Sequence, residues 1–573
     1  MKRDKNMISI KESLTALDKG NRVNKCFAYL LSVADAISNI MIAYVMKLLL
    51  DISAFDNLTK FCDTVIIVII FLLVDLLVTF LSRIVLQKYL RKAIVQYKNF
   101  IFGKVLSKNI NAFNYENISK YMSAFSNDLA VIEKSYLKGS IQVCNNLILL
   151  IGGLLSMIIM NYKLSIIVIL ASAGSGLVTI ILGPRLAPME KELSNKNEDF
   201  MNITKNMLSG FTVIKSFKAE KEVYDYFSET DSCLERFKYK RNYLGETIAV
   251  LSRSTSLITD FIVFTVGVFF VLKGEISIGV IIAFVQLINY VVSPLQKLGP
   301  LFANRKAAFA LIEKMDDNVT EPIRINRNAI CTYNKSIDFA NVSFSYDIEK
   351  VLININLSIR KGKSYSIVGN SGSGKSTLLN LLLGYTDNYD GKILIDDNEL
   401  RNCSLDSVYD TFSVIQQNAF IFDDSIINNI TMYKQFDAKD IEYAIVNSGL
   451  KSLIEIKGLD YICGENGCNL SGGEKQRISI ARCLLRHTPI ILLDEATSSL
   501  DRVTSYEIED NLLKIEGVTK VVITHKIEEE LLRKYDEVIV LSHGEIIEQG
   551  SFDELITRKG YFYSFYNIEK EVS

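Results

Sequence analysis

The chain has 573 residues, with 64 Lys plus Arg against 65 Asp plus Glu, and 23% of its residues are charged. A single core seldom grows past about 250–300 residues, so more than one domain is expected, and the balanced charge excludes a strongly basic nucleic-acid binder. A mean hydropathy of +0.21 beside that charge implies one membrane-embedded half and one soluble half, and excludes a disordered, collagenous or disulfide-scaffold chain.

In chain order, the first elements are six apolar runs near 26–50, 63–85, 141–160, 164–183, 247–272 and 277–298. Each approaches the length of about 20 residues that a helix needs to cross a bilayer. Several, such as 64–74 and 147–159, are apolar on every face, as burial in lipid or in a helix bundle requires. Short links at 51–62, 161–163 and 273–276 carry only Lys60, Lys163 and Lys273 as basic residues. The N-terminal tail and the long stretches 86–140 and 184–246 are rich in Lys and Arg. The positive-inside rule therefore puts both termini and both long loops in the cytosol. The first run is too long, and lacks the cleavage site, for a removable signal.

The long loops carry apolar residues at three- and four-residue spacing, such as Ile94, Phe100, Ile101, Val105 and Leu106, and read as helices extending below the membrane. Polar residues inside the runs include Asp35, Lys47, Asp75, Asn145, Asn146, Arg253, Asp260, Gln286 and Asn289. They either bond between helices or line a path for something amphipathic or cationic. Nine scattered cysteines show no CxxC pair and no zinc spacing, so reduced thiols are expected.

From 305 the composition changes. Residues 305–335 read as a linker between a transmembrane domain at 1–304 and a second domain at 336–573. In that domain β-rich runs at 338–345, 364–369, 393–395, 412–416, 490–493, 520–524 and 537–541 alternate with helical stretches. The expected fold is an all-α polytopic membrane domain of six helices followed by an α/β domain with a mostly parallel sheet.

Gly369-Asn370-Ser371-Gly372-Ser373-Gly374-Lys375-Ser376-Thr377 follows an apolar strand and opens a helical run, the context a phosphate-binding P-loop needs. Backbone N–H groups and the helix N-terminus would hold the β-phosphate. Lys375 would reach the β- and γ-phosphates and Ser376 would ligate Mg²⁺. The run 490–493 ends in Asp494 and Glu495. Asp494 can hold the metal through water and Glu495 can polarise an attacking water.

Leu470-Ser471-Gly472-Gly473-Glu474-Lys475-Gln476-Arg477 narrows this further. With the rest of 335–565 it resembles the nucleotide-binding domain of ATP-binding cassette (ABC) transporters. The resemblance implies that Ser471, Gly472 and Gly473 close on ATP bound to a second domain. It gives Tyr346 the role of stacking on adenine, Gln417 that of a switch glutamine touching Mg²⁺, and His525 that of contacting the γ-phosphate. Residues 498–501 resemble an interface loop, and 463–467 stand where exporters touch the partner's helices. Glu474 departs from the usual Gln. Residues 113–133 and 210–220 are similar to the two cytosolic loops of exporters.

The implied function is ATP-driven export by a dimeric half-transporter of the P-loop NTPase type, with ATP and Mg²⁺ as cofactors. Its partner would be a second half-transporter, identical or paired, in the lipid of a bacterial plasma membrane, with no nucleic acid bound. The substrate is not readable beyond an amphipathic drug, lipid or peptide. No peptidase domain precedes the first run, which separates the chain from leader-cleaving exporters. The alternatives are an importer of metal chelates with the same layout, a soluble-type ABC ATPase, and an ATP-gated regulator.

Overall fold

The computed structural model describes residues 11–53, 58–108, 110, 113, 118–319, 329–346, 349–417, 419–496, 501–524 and 528–572. The chain divides into two compact units, one essentially within the first 321 residues and one formed mainly by the residues after it.

The first unit is helical. Its long helices are α1 (Arg22–Ser53), α2 (Leu58–Leu106), α3 (Gly139–Met160), α4 (Tyr162–Ser209), α5 (Glu220–Leu272) and α6 (Ile278–Val319). Each carries one of the six apolar runs. Among the described residues five are long and apolar enough to cross a membrane, and of α4 a shorter apolar stretch, Tyr162–Ser172, is described. This is a multi-pass membrane protein. The turn from α3 to α4 needs only Asn161, whose side chain accepts from the Leu164 N–H at 2.9 Å and caps α4.

Helix α6 is central: it packs on α1 and α3, while α2 lies on α1 and α4 runs along α5. Ala283, Phe284 and Leu287 of α6 are fully buried among Ala43, Met157, Leu164 and Val263. A second apolar cluster joins Leu17, Tyr97 and Ile101 to Ile132, Ile312 and Met315. There the Asp316 carboxylate, 1% exposed, accepts from Ser13 Oγ at 2.8 Å and lies 3.3 Å from Lys104 Nζ. The expected cytosolic helices are continuations of α2, α4 and α5, with Phe211–Ser216 as a short helix between the last two. Part of 113–133 lies outside the described residues; Ala124–Asp128 within it, and Ile132–Lys138 running past its end, are π-helical.

Most polar residues of the runs bond between or along helices. Asp75 accepts from Ser38 Oγ at 2.6 Å and Asp35 from Thr79 Oγ1 at 2.9 Å. Lys47 pairs with Asp51 at 3.1 Å, and Asp51 also accepts from the Gly279 N–H at 3.2 Å.

Two expectations are corrected. Helix α6 continues to Val319, beyond the boundary placed at 304. Buried Ala308, Ile312 and Met315 form a helical stripe that the surrounding charges obscured. Cys331 and Cys403 are joined in a disulfide with Cα atoms 5.6 Å apart, where only free thiols were expected; the other seven cysteines are free. The two lie 72 residues apart and are brought together by a bridge between Ala329 and Cys403, which no local spacing reveals.

The second unit is α/β. An antiparallel sheet of order β2-β1-β4-β5 combines β1 (Ser336–Tyr346), β2 (Glu349–Arg360), β4 (Asp390–Ile395) and β5 (Asn398–Glu399). A six-stranded sheet of order β10-β9-β3-β8-β7-β6 contains β3 (Ser364–Val368), β6 (Phe412–Ile415), β7 (Ile490–Asp494), β8 (Thr519–Ile523), β9 (Glu537–Ser542) and β10 (Glu545–Gly550). It is parallel except for β10. β3 and β8 are buried at every position, as covered parallel strands must be. The sequence reading missed β2, although its inward positions from Leu352 to Ile359 alternate with outward ones.

The Asp316 site gives a stability test. Asp316→Ala removes a buried carboxylate that pairs with Lys104, whose half-buried ammonium also lies 3.7 Å from Glu12, and a bond to Ser13. It is expected to destabilise the helical unit by about 2–4 kcal/mol, read as a lower unfolding midpoint of the solubilised protein. An unchanged midpoint would mean that packing alone holds the segment at 11–18.

Candidate functional site

β3 ends at Val368, and the chain turns through the glycine loop into α7 (Lys375–Leu382). Two glycines are obligatory here. Gly369 has φ +154° and a Cβ on it would stand 2.1 Å from the Leu541 carbonyl oxygen; Gly374 has φ +103° and a Cβ would meet the Val351 oxygen at 2.9 Å. The turn leaves the first N–H groups of α7 without helical acceptors, aimed out of the loop. Ser373 Oγ is buried and, among the described residues, has no hydrogen-bond partner.

Lys375 is 5% exposed and folds back over the loop, donating to the carbonyls of Gly369 at 2.9 Å and Asn370 at 2.8 Å. Burial pushes its ammonium below the usual lysine range, and the Glu495 and Asp494 carboxylates draw it partly back. Asn370 donates to the Tyr561 hydroxyl at 3.2 Å, Ser371 and Gly372 are exposed, and Thr377 is buried.

β7 delivers the carboxylates. Asp494 Oδ1 accepts from Ser376 Oγ at 3.1 Å, and Glu495 Oε2 accepts from Gln417 Nε2 at 2.8 Å. The second bond selects Gln417 over its neighbour Gln416 as the residue facing the site. Glu495 has φ +51°, a left-handed conformation costing about 1–2 kcal/mol for a residue with a Cβ. Its N–H bonds to the Ile523 carbonyl at 3.1 Å, which holds it in that strained state.

A nucleotide triphosphate fits this arrangement. Free helix N–H groups, the orphan Ser373 hydroxyl and Lys375 form a donor set for phosphate. Ser376, Asp494 and Gln417 present oxygen ligands of the kind Mg²⁺ takes alongside phosphates. Tyr346 is 46% exposed and rests edge-on against Phe344 with ring centroids 4.7 Å apart, which leaves a ring available for stacking. His525 and residues 498–500 lie outside the described residues; Asp501 caps the helix Arg502–Leu513 through the Thr504 N–H.

Ser471 is the N-cap of α8 (Gly472–Leu485). It forms a capping box with Glu474: the Ser471 N–H donates to the Glu474 carboxylate at 2.7 Å, and Ser471 Oγ accepts from the Glu474 N–H at 3.3 Å. The departure from Gln thus keeps the cap intact. Ser471, Gly472 and Gly473 form a second exposed helix start. α8 packs on β6 and on the short helices at 426–431 and 438–447, whereas α7 packs on β2 and β7, so the two cradles belong to different parts of the unit.

The motif reading missed Arg482. From α8 it donates to the Phe420 carbonyl at 2.6 Å and to Asn429 Oδ1 at 2.7 Å, tying the segment that follows Gln417 to the helix that begins at Ser471. A lone arginine in the apolar run 478–485 is the only signal the sequence carries.

Residues 25–295 match the family model described as ABC transporter transmembrane region, and 352–498 match the one described as ABC transporter. The chain is 30% identical to the uncharacterized ABC transporter ATP-binding protein YfiC of Bacillus subtilis (strain 168), over 83% of this chain and 80% of the relative. It is 26% identical to an ATP-dependent lipid A-core flippase of Syntrophus aciditrophicus (strain SB), over 84% and 81%. A bacterial Atm1-family ABC exporter with ATP bound shares the fold with a TM-score of 0.82 at 20% identity, covering 96% of this chain and 99% of that one.

Two substitutions test the geometry. Lys375→Ala removes the ammonium folded over the loop and should weaken ATP binding by at least about 1.5–3 kcal/mol, the worth of a charged hydrogen bond, measured with a fluorescent ATP analogue. Arg482→Met keeps the bulk but cuts the bond to Phe420 in the segment after Gln417 and the two bonds to Asn429. ATP affinity should stay within about twofold while hydrolysis drops by roughly tenfold or more, as mispositioned groups do; equal losses in both would make Arg482 a folding residue only.

Proposed function

Because this chain belongs to the ABC transporter family, with the transmembrane region and the ATP-binding unit in one polypeptide, we propose that it is a half-transporter that pairs with a second one and exports an amphipathic substrate. One observation carries the reading: the adjacent carboxylates of β7 are held by a P-loop hydroxyl and by Gln417, in a chain whose other half is a multi-pass helical unit.

ATP supplies the phosphoryl group whose transfer to water drives the cycle. Lys375 would exchange the carbonyls of Gly369 and Asn370 for phosphate oxygens. Ser376 and Asp494 would hold Mg²⁺, with Gln417 beside them. Glu495 would accept the proton of the attacking water at Oε2, where the bond from Gln417 already orients the carboxylate. Tyr346 would stack on adenine, and His525 would approach the γ-phosphate. Ser471, Gly472 and Gly473 would close on the nucleotide of the partner. Gln417, through the segment Arg482 fastens, would relay closure to the cytosolic helices.

The complete set Lys375, Glu495 and His525 is compatible with pairing of two copies of this chain and equally with pairing to a different half-transporter. Basic residues before α1 and in the long loops support cytosolic termini in a bacterial cell membrane. An amphipathic cargo is supported by the relatives named as lipid A-core flippases.

Two measurements test the proposal. Glu495→Gln should still bind ATP, while hydrolysis falls by roughly 10²–10⁴-fold, the range for loss of a general base; hydrolysis at the parent rate would remove Glu495 from that role. In proteoliposomes whose nucleotide-binding units face outward, ATP should drive a fluorescent lipid probe from the outer to the inner leaflet. Movement in the opposite direction would make the protein an importer.

A further inference from the structure

Helix α9 (Tyr561–Val572) reaches the glycine loop from outside the strand and helix that frame it. The hydroxyl of Tyr561, its first residue, accepts from the Asn370 side-chain amide at 3.2 Å. Asn370 is the second residue of the loop, and its carbonyl serves two donors. It accepts from Lys375 Nζ at 2.8 Å and from the Ser373 N–H at 3.2 Å. A hydroxyl 191 residues away in sequence thus fastens the residue that holds both the lysine and the turn.

The start of α9 is itself anchored, which gives that hydroxyl a defined place. Glu548 of β10 accepts from the Tyr561 N–H at 3.1 Å and from the Phe562 N–H at 2.8 Å. One carboxylate therefore satisfies two of the amides that a helix start leaves open. Gly560 permits this approach, because a Cβ there would overlap the Glu548 carboxylate. Phe562 is fully buried and packs edge-on against Phe552 with ring centroids 5.9 Å apart. Tyr566, one turn on, packs on the same ring at 5.5 Å and donates to Glu529 Oε2 at 2.8 Å. Tyr561 lies along Phe565 with centroids 6.3 Å apart and is 38% exposed. Packing does not explain a tyrosine here, since phenylalanine would cover the same surface. What the hydroxyl adds is the bond from Asn370.

That bond matters most when nucleotide arrives. Lys375 would then leave the Gly369 and Asn370 carbonyls for phosphate oxygens, and the loop would lose both bonds to the ammonium. The Ser373 N–H and Tyr561 would still hold residue 370, so the loop would keep the shape that aims its amides at phosphate. We infer that Tyr561 is a positioning residue for the nucleotide: through Asn370 it holds the phosphate loop in its binding shape and so raises ATP affinity without touching ATP. The inference rests on the reading of 369–377 as the phosphate loop, which Lys375→Ala tests separately.

The test uses the full-length protein in nanodiscs and a fluorescent ATP analogue. Y561F removes the hydroxyl and keeps the ring. It should raise the Kd for ATP about three- to tenfold, the worth of one neutral hydrogen bond, with the unfolding midpoint unchanged. In steady-state hydrolysis the KM for ATP should rise while kcat stays within about twofold, as when binding and not chemistry is lost. Y566F is the control: it cuts a hydroxyl bond of the same helix away from the loop, and ATP affinity should stay within about twofold. N370A should weaken binding as Y561F does, and Y561F/N370A should lose no more than the larger single change, because both remove one bond. An unchanged Kd in Y561F, an equal loss in Y566F, or additive losses in the double variant overturns the inference. A lowered unfolding midpoint in Y561F makes Tyr561 a folding contact and overturns it as well. If Lys375→Ala weakens ATP binding and Y561F does not, the loop reading stands and this inference falls; if neither does, the loop reading itself falls.

Discussion

A backbone N–H must find an acceptor, and both halves of this chain are arranged around that constraint. In hydrocarbon no water is present to accept, so an unpaired amide costs several kcal/mol and the chain crosses only as continuous helix. That is why α1 to α6 run unbroken through their apolar cores and why a single cap at Asn161 suffices to turn α3 into α4. In the α/β unit the same constraint is left open on purpose. The starts of α7 and α8 present amides with no helical acceptor, which suits them to an anion.

The β7 end shows what the surrounding fold must hold in place. Glu495 sits in left-handed backbone, fastened by its amide bond to Ile523 on β8 and oriented by Gln417. Burial pushes the Lys375 ammonium below the usual lysine range, and the same carboxylates draw it partly back. These groups are thus mutually dependent: the lysine needs the acids, Ser376 bonds to Asp494, and Gln417 depends on a segment held by Arg482. Charge that phosphate would neutralise is balanced within the protein by bonds that ligand binding can exchange.

Legibility varied with the range of the cause. Six apolar runs, the P-loop and the Asp494–Glu495 pair are local patterns, and each maps onto an element of the expected kind. β2 was missed because its alternation is interrupted by asparagines, although Leu352, Ile355, Leu357 and Ile359 all face inward. The end of α6 was misjudged because charged residues masked a buried stripe. Cys331 and Cys403 meet only because residues distant in sequence form a bridge, and nothing in their own neighbourhoods predicts it.

By itself the sequence determined which stretches are apolar enough to enter lipid, where the basic residues gather, and where a glycine-rich loop stands between a strand and a helix, since hydropathy, charge asymmetry and glycine spacing act within one or two turns of chain. The tertiary structure decided which groups face one another: Gln417 rather than Gln416 on Glu495, Arg482 on the segment beyond, Ser13 and Lys104 on Asp316. It also gathered Arg83, Lys138 and Lys297 around one cavity. Each is an ordinary basic residue at a helix end, and only the alternating helix directions bring those ends to one level.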